Sequence, residues 1–348
     1  MTSNKLRSIG WKPWFQQQLP LEEAAPFIVA RVSAHHGVRV LLLGEEGEFD
    51  IPVQLAESAG EIAVGDWLML DTNDNRAIRR LERQTVLSRK AAGEEVKPQA
   101  IAANIDTIFI VSSCNEEFNL SRIERYLALA LQAGTHPVVV LTKTDLCETA
   151  AVYRRQAERL YPGLLVETID ARNPTQAKVL LTWCKPGQTV ALLGSSGVGK
   201  STLANALGVD NLATGAIREQ DGKGRHTTTT RSLHLMPSGG VLVDNPGVRE
   251  LQLPACEDGI ADLFDDVLQI SERCRFSNCS HDGDAGCAVE LAVESGELEK
   301  RRVLNFMKLN AEQDHNARSL AERHERDRKT GRMYKSAIET KRRRRDGE

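Results

Sequence analysis

No run of apolar residues in this chain approaches the ~18 that a bilayer-crossing helix needs, so a membrane protein is not expected. Met1 to Pro20 is polar, with Trp11, Trp14 and Phe15 interspersed, and lacks the apolar core of a secretory signal. A cytoplasmic, monomeric protein is expected. An excess of positive charge is also missing. The chain has 45 Lys and Arg against 48 Asp and Glu, a net charge of −3. That excludes a chain that binds polyanions over its whole surface. Paired cysteines are lacking too: there are seven, and Cys114, Cys147, Cys184 and Cys256 are scattered. No disulfide framework is expected in such a chain. What remains is the composition of a globular protein, 41% hydrophobic and 27% charged, with 348 residues for two or three domains.

Net charge is small but uneven along the chain. From Arg318 to Glu348 there are twelve Lys or Arg and six Asp or Glu, a local +6 that leaves −9 for the remainder. A basic tail on an acidic body points to a polyanionic partner for the tail; a solvated, charge-rich helix would look the same.

The strongest local signal is Gly194-Ser195-Ser196-Gly197-Val198-Gly199-Lys200-Ser201, a G-x-x-x-x-G-K-S phosphate loop. The apolar run Thr189 to Leu193 before it reads as a buried strand, and Thr202 to Leu207 after it as a helix. Glycines let consecutive N–H groups wrap a phosphate closely. Lys200 is expected on the β- and γ-phosphates and the Ser201 hydroxyl on Mg²⁺, with Thr202 beside them.

Upstream, Ile105 to Val111 and Pro137 to Leu141 read as buried strands, with a helix from Leu120 to Ala133 capped by Asn119 between them. Alternating strand and helix predict a mostly parallel α/β sheet, with its ligand at the carboxyl ends of the strands. At the end of the second strand stands Thr142-Lys143-Thr144-Asp145, which resembles the [NT]-K-x-D base-recognition motif of GTPases. One carboxylate, Asp145, can accept both N1–H and N2–H₂ of guanine, whereas adenine would leave it unpaired. The segment Asp170-Ala171-Arg172 stands where GTPases place a Ser-Ala-Lys-like loop, with Asp170 in the serine's place. A helix from Gln176 to Cys184 is expected to lead into the phosphate loop.

Two switch-like segments follow. Val241 to Gly247 is a strand ending in D-x-x-G, so Asp244 is expected to hold Mg²⁺ through water and the Gly247 N–H to sense the γ-phosphate. The loop Gly222 to Thr230 should supply a threonine to Mg²⁺; Thr228 is favoured, with Thr227 and Thr229 open. Val248 stands where the water-positioning glutamine would be.

Five short strand-like runs between Pro26 and Arg89 suggest a small barrel of the OB type, though an SH3-like barrel is equally compatible. Arg76, Arg79, Arg80, Arg83, Arg89 and Lys90 would give its far end positive charge for RNA contact. Lys90 to Ala103 reads as a linker. Further on, Cys274, Cys279, His281 and Cys287 place four zinc-type ligands within fourteen residues, a closed Cys₃His structural set for one ion. A helix is expected from Val293 to Ala317, then an arm that reaches RNA phosphates.

Motif order carries the most information. T-K-T-D precedes the phosphate loop, whereas Ras-like GTPases have the reverse, so the sheet must be circularly permuted. With G-R-H-T-T-T (224–229) and D-N-P-G (244–247), the chain closely resembles the RsgA-type small-ribosomal-subunit biogenesis GTPases over nearly its whole length. The resemblance implies slow intrinsic GTP hydrolysis, stimulation by the small ribosomal subunit, and a role in late maturation of that subunit and its rRNA. It also implies that His226 replaces the missing glutamine. The expected fold class is therefore multi-domain α/β, with an extension (1–25), an OB-type barrel (26–97) and a circularly permuted P-loop GTPase domain (98–253). A zinc-binding and helical domain (254–317) and a basic tail (318–348) complete it. A P-loop ATPase and a nucleotide-gated RNA-binding scaffold are the alternatives.

Overall fold

The computed structural model describes residues 4–20, 26–90, 98–209, 232–244 and 253–317. In the N-terminal part, β-branched and leucine-rich runs form β1 (Phe27–His35), β2 (Arg39–Gly44), β3 (Glu48–Pro52), β4 (Trp67–Asp71) and β5 (Ala77–Arg80). They pair antiparallel in the order β3–β2–β1–β4–β5, with a bulge in β1 between Val32 and Ala34. Alternate residues turn inward, so Ala30, Val32, Val40, Leu42, Ile51, Leu68 and Leu70 share one core. The short helical segment 53–59 packs against β3 at one end and β5 at the other.

The opposite side of β4 is covered by the chain's own beginning. Leu6, Ile9, Trp11 and Phe15 bury against Trp67 and Leu81, and Trp11 meets Trp67 edge to face at 4.7 Å. Beneath this cluster lies Arg31, fully buried. Its guanidinium donates to the carbonyls of Ile9, Gly65 and Asn104 and to the Thr189 hydroxyl. Burial lowers its pKa to about 10, offset in part by Asp106 and Asp66. One side chain thus ties the N-terminal segment, the small sheet and the nucleotide-domain sheet together.

The linker expected at 90–103 is instead part of a hairpin. β6 (Val86–Lys90) pairs antiparallel with β7 (Pro98–Ala103), and Val64 bridges to Ala102. Leu87, Ile101, Ala102 and Ala103 are buried, which is what holds the pair. The backbones approach so closely at Gly65 that a Cβ there would lie 2.1 Å from the Ala103 carbonyl oxygen.

The second sheet contains β8 (Thr107–Ser113), β9 (His136–Thr142), β10 (Leu165–Thr168), β11 (Thr189–Leu193), β12 (Ser232–Leu235) and β13 (Val241–Asp244). Its order is β10–β9–β8–β11–β13–β12, parallel except for β12. A single pair, Ala34 with Ser232, continues it into β1. Both faces are covered, so the strands read as unbroken apolar runs. Ile108, Ile110, Val139 and Leu141 face the helix Leu120–Gln132, with Ile123 and Leu127 in the same core. Phe109, Val111, Val138 and Val140 face the other side, with Leu180 and Leu203. Asn119 caps the helix as expected, accepting from the Arg122 N–H at 3.0 Å. The helix expected over 176–184 is split into a short α turn, Pro174–Ala177, and a 3₁₀ turn, Lys178–Thr182.

The C-terminal part consists of helices Glu257–Leu263, Asp265–Ser271 and Ala288–Glu294 and a helix over 300–317. The single helix expected from Val293 is therefore interrupted near Gly296, whose φ is +79°. This part is clamped to the helix Leu120–Gln132. Glu124, with no exposed surface, accepts from Arg301 at 2.8 and 3.1 Å, Arg302 at 3.1 Å and Asn305 at 2.6 Å. Arg125 pairs with Glu312, which also accepts the Leu253 N–H, and Asn316 donates to the Leu253 carbonyl.

Candidate nucleotide site and metal centre

The phosphate loop leaves β11 at Gly194, whose φ of +152° lies in the positive region that favours glycine. A Cβ there would lie 2.2 Å from the Val111 carbonyl oxygen, so only glycine fits. Gly197 and Gly199 are also left-handed, at +78° and +97°, and Val198 between them is buried and pins the loop to the core. Lys200 starts the helix Lys200–Ala206 and folds back over the loop, donating to the carbonyls of Gly194 at 2.7 Å and Ser195 at 2.6 Å. Ser201 and Thr202 follow in its first turn, and Ser196 stands in the loop between Ser195 and Gly197. Arg122 donates to the Ser195 hydroxyl at 3.0 Å and to Glu117 at 3.2 Å, supporting the loop from the neighbouring helix.

β9 ends beside this loop. Thr142, fully buried, donates its hydroxyl to the Val198 carbonyl at 2.5 Å, with the Ser112 carbonyl a second acceptor at 3.1 Å. Thus the T-K-T-D segment and the phosphate loop, fifty-six positions apart, are joined directly. Lys143 is left-handed at φ +58°, a strained state for a side-chain-bearing residue, and turns the chain into the 3₁₀ segment Thr144–Leu146. Asp145 is an exposed residue whose side chain keeps 22% of its surface, and its carboxylate is paired with the Arg172 guanidinium. Ala171 is buried, and the Asp170 carboxylate accepts the Arg172 N–H at 2.9 Å.

Asp244 closes β13 on the other side of β11. Its pKa is raised by burial, against which His234 and Lys200 pull it down. A partly desolvated carboxylate near the phosphate loop fits a divalent cation. Thr228, His226 and Gly247, together with Thr227, Thr229 and Val248, lie outside the described residues.

In the C-terminal part, Cys274, Cys279, His281 and Cys287 bring one ligand atom each to within 4.8 Å of one another, a cluster that could bind zinc. The His281 Nδ1 is 3.7 Å from the Cys274 sulfur and 3.5 Å from that of Cys287. His281 itself is left-handed, and the loop is fastened by Asp284 accepting from Ser280 and by Glu290 accepting the Gly283 N–H. Burial pushes the Cys279 thiol up to about 12, and the neighbouring Cys287 and Cys274 add to the rise. For Cys274 burial is the largest influence and acts upward, but the N–H groups of Ala288 and Val289 together with hydrogen bonds from Cys279 and Cys287 bring its pKa down. Three sulfurs this close ionise together only around a cation.

The basic side chains expected on the barrel rim are partly engaged within the fold. Arg83 makes two 2.7 Å bonds to the buried Asp66, and Arg89 donates to Gln99 at 3.1 and 3.2 Å. Arg79 is tied to the Gln18 carbonyl. Sequence reasoning missed the Arg172–Asp145 pair, the Arg122–Ser195 contact and the tie from Thr142 to Val198. The first had a legible signal, since Arg172 stands in the Ser-Ala-Lys-like loop; the others depend on how the strands lie.

The RsgA GTPase family model matches residues 80–254. The ABC transporter model matches residues 179–333, a stretch that includes the phosphate loop. The small ribosomal subunit biogenesis GTPase RsgA 2 of Vibrio parahaemolyticus is 49% identical, covering 99% of this chain and 95% of the relative. The small ribosomal subunit biogenesis GTPase RsgA of Mesorhizobium japonicum is 45% identical over 90% of this chain and 92% of the relative. The structure is similar to YjeQ from Thermotoga maritima, with a TM-score of 0.60 and 26% identity over 83% of this chain and 99% of that one. It also shares its fold with YloQ, a circularly permuted GTPase, at a TM-score of 0.58 and 22% identity, covering 85% of this chain and 98% of that one. The permuted sheet, the joined T-K-T-D and G-x-x-x-x-G-K-S segments and these relatives agree: this chain belongs to the RsgA GTPase family and is a circularly permuted GTP hydrolase.

Proposed function

We propose that the protein acts in late maturation of the small ribosomal subunit, docking in its GTP state and leaving after hydrolysis to GDP. The relatives are named for biogenesis of that subunit, and this chain spans nearly their whole length. The observation that supports the nucleotide reading is the Thr142–Val198 bond, because it joins the T-K-T-D segment, whose Asp145 this reading assigns to guanine, to the phosphate loop.

In this reading Asp145 accepts the guanine edge, with Thr142, Lys143 and Thr144 shaping the base loop. Residues Gly194 to Thr202 enclose the phosphates and the Gly247 N–H senses the γ-phosphate. Ser201, Thr228 and Asp244 would hold Mg²⁺, which neutralises phosphate charge when bound. His226 orients the attacking water, a task Val248 cannot perform.

Cys274, Cys279, His281 and Cys287 hold one structural zinc ion. The order β3–β2–β1–β4–β5 supports an OB-type barrel, left without a ladder between β3 and β5 among the described residues. The barrel, the zinc segment and the basic tail 318–348 contact rRNA. The protein works as a cytoplasmic monomer. The test is turnover of GTP and ATP with and without purified small subunits. GTP-specific turnover that rises with subunits supports the proposal; turnover indifferent to subunits opposes it.

A further inference from the structure

Arg172 occupies the acceptor that the base requires. Its guanidinium is paired with Asp145 and lies 3.4 Å from Asp170, whose carboxylate also holds the Arg172 N–H. Asp170 is fixed in turn by its own N–H donating to Gln176 at 2.7 Å. Nη2 of the planar guanidinium donates to Asp145 Oδ2 while its Nε turns to Asp170, so one N–H edge of the fork meets the carboxylate. Guanine would bring Asp145 N–H donors of the same kind, since its N1–H and N2–H₂ belong to a guanidine unit within the ring. Side chain and base edge therefore compete for one carboxylate.

We propose that Arg172 is an intramolecular stand-in for guanine, pairing with Asp145 when the pocket is empty and yielding to the base when nucleotide enters. The inference rests on the reading of Asp145 as the guanine acceptor. On release, Arg172 stays anchored through Asp170. The empty pocket then keeps no unpaired carboxylate, and a ligand without adjacent donors cannot displace the arginine. The side chain is two-thirds exposed, so it can leave without disturbing the core. An exposed ion pair is weak, which sets a modest competition.

The experiment compares the full-length protein with Arg172→Ala and Arg172→Lys, measuring association and dissociation of GDP and GTP at low and high salt. Removing the competitor should tighten GDP and GTP binding equally, by about two- to six-fold at low salt, through faster association. Lysine, a single point charge without the planar fork, should fall between. High salt should shrink the difference, because it screens the pair. Unchanged or weaker binding by Arg172→Ala at low salt would overturn the proposal, the latter marking Arg172 as a contact to the nucleotide.

Asp145→Asn separates this from the base reading. Its amide matches xanthine, which has a carbonyl where guanine has N2–H₂, so the variant should favour xanthosine diphosphate over GDP. Adding Arg172→Ala to that variant should change its affinity less than in the wild-type background. If Asp145→Asn keeps its guanine preference, the base reading fails and the stand-in falls with it. If it switches to xanthine while Arg172→Ala has no effect alone, only the stand-in fails.

Discussion

The hydroxyl of Thr142 and the carbonyl of Val198 are joined at 2.5 Å, out of contact with solvent, and this bond links the T-K-T-D segment to the G-x-x-x-x-G-K-S loop. Thr142→Val keeps the shape and removes the donor. Leaving a buried carbonyl without this partner should cost ~1–3 kcal/mol in urea denaturation. GDP affinity should fall as well, since the two loops lose their common anchor. Thr142→Ser should restore most of both, which separates the hydrogen bond from packing.

The glycines of the phosphate loop should differ in tolerance. At Gly194 an added Cβ meets the Val111 backbone oxygen at 2.2 Å, with no flexible neighbour to give way. Gly194→Ala should cost more than ~2 kcal/mol and abolish nucleotide binding. Gly197, at φ +78°, has nothing within 4 Å of such an atom. Gly197→Ala should cost only the left-handed penalty, ~1–2 kcal/mol, measured by thermal unfolding.

Much of the nucleotide fold was legible because its signals are local. The phosphate loop, the T-K-T-D segment and the alternating apolar runs predicted β8, β9 and β11 within two residues of where they begin, and Asn119 was readable as a cap. What escaped depends on contacts remote in sequence. Lys90 to Ala103 read as linker because the stretch has few large apolar residues, yet Pro98–Ala103 is a strand paired with Val86–Lys90, and its Ala103 backbone comes so close to Gly65 that only glycine fits there. Arg31 looked like an ordinary strand arginine; its four acceptors, Ile9, Gly65, Asn104 and Thr189, come from four widely separated points in the chain. The rim arginines were readable as charge, but not as the partners of Asp66 and Gln99.

Glu124 fastens the nucleotide domain to the C-terminal helices. Glu124→Ala would take a buried carboxylate from Arg301, Arg302 and Asn305 together, although Arg302 keeps Asp266 at 2.8 Å and the Leu160 and Leu263 carbonyls. The expected loss is ~3–5 kcal/mol, as for other buried pairs broken from one side. Faster proteolysis of the 300–317 helix, with nucleotide binding retained, would show that the clamp rather than the pocket has been lost.

The Cys₃His cluster predicts a chelator-sensitive segment. Metal analysis should find one zinc ion per chain, and Cys279→Ser should lower it. Removing zinc should unfold the 274–287 loop, lower the melting temperature and abolish subunit binding, while GDP still binds. A protein whose melting temperature is indifferent to chelators would remove zinc from the account.

Leu253 is held by Glu312 and Asn316 at the start of the C-terminal part, eight positions after Asn245 in the D-N-P-G segment. The central claim is that the nucleotide state reaches the ribosomal subunit through this route. The most direct measurement is the affinity of the full-length, zinc-loaded protein for purified small subunits, with a non-hydrolysable GTP analogue and with GDP. The account predicts markedly tighter binding with the analogue. Equal affinity in the two states would contradict it.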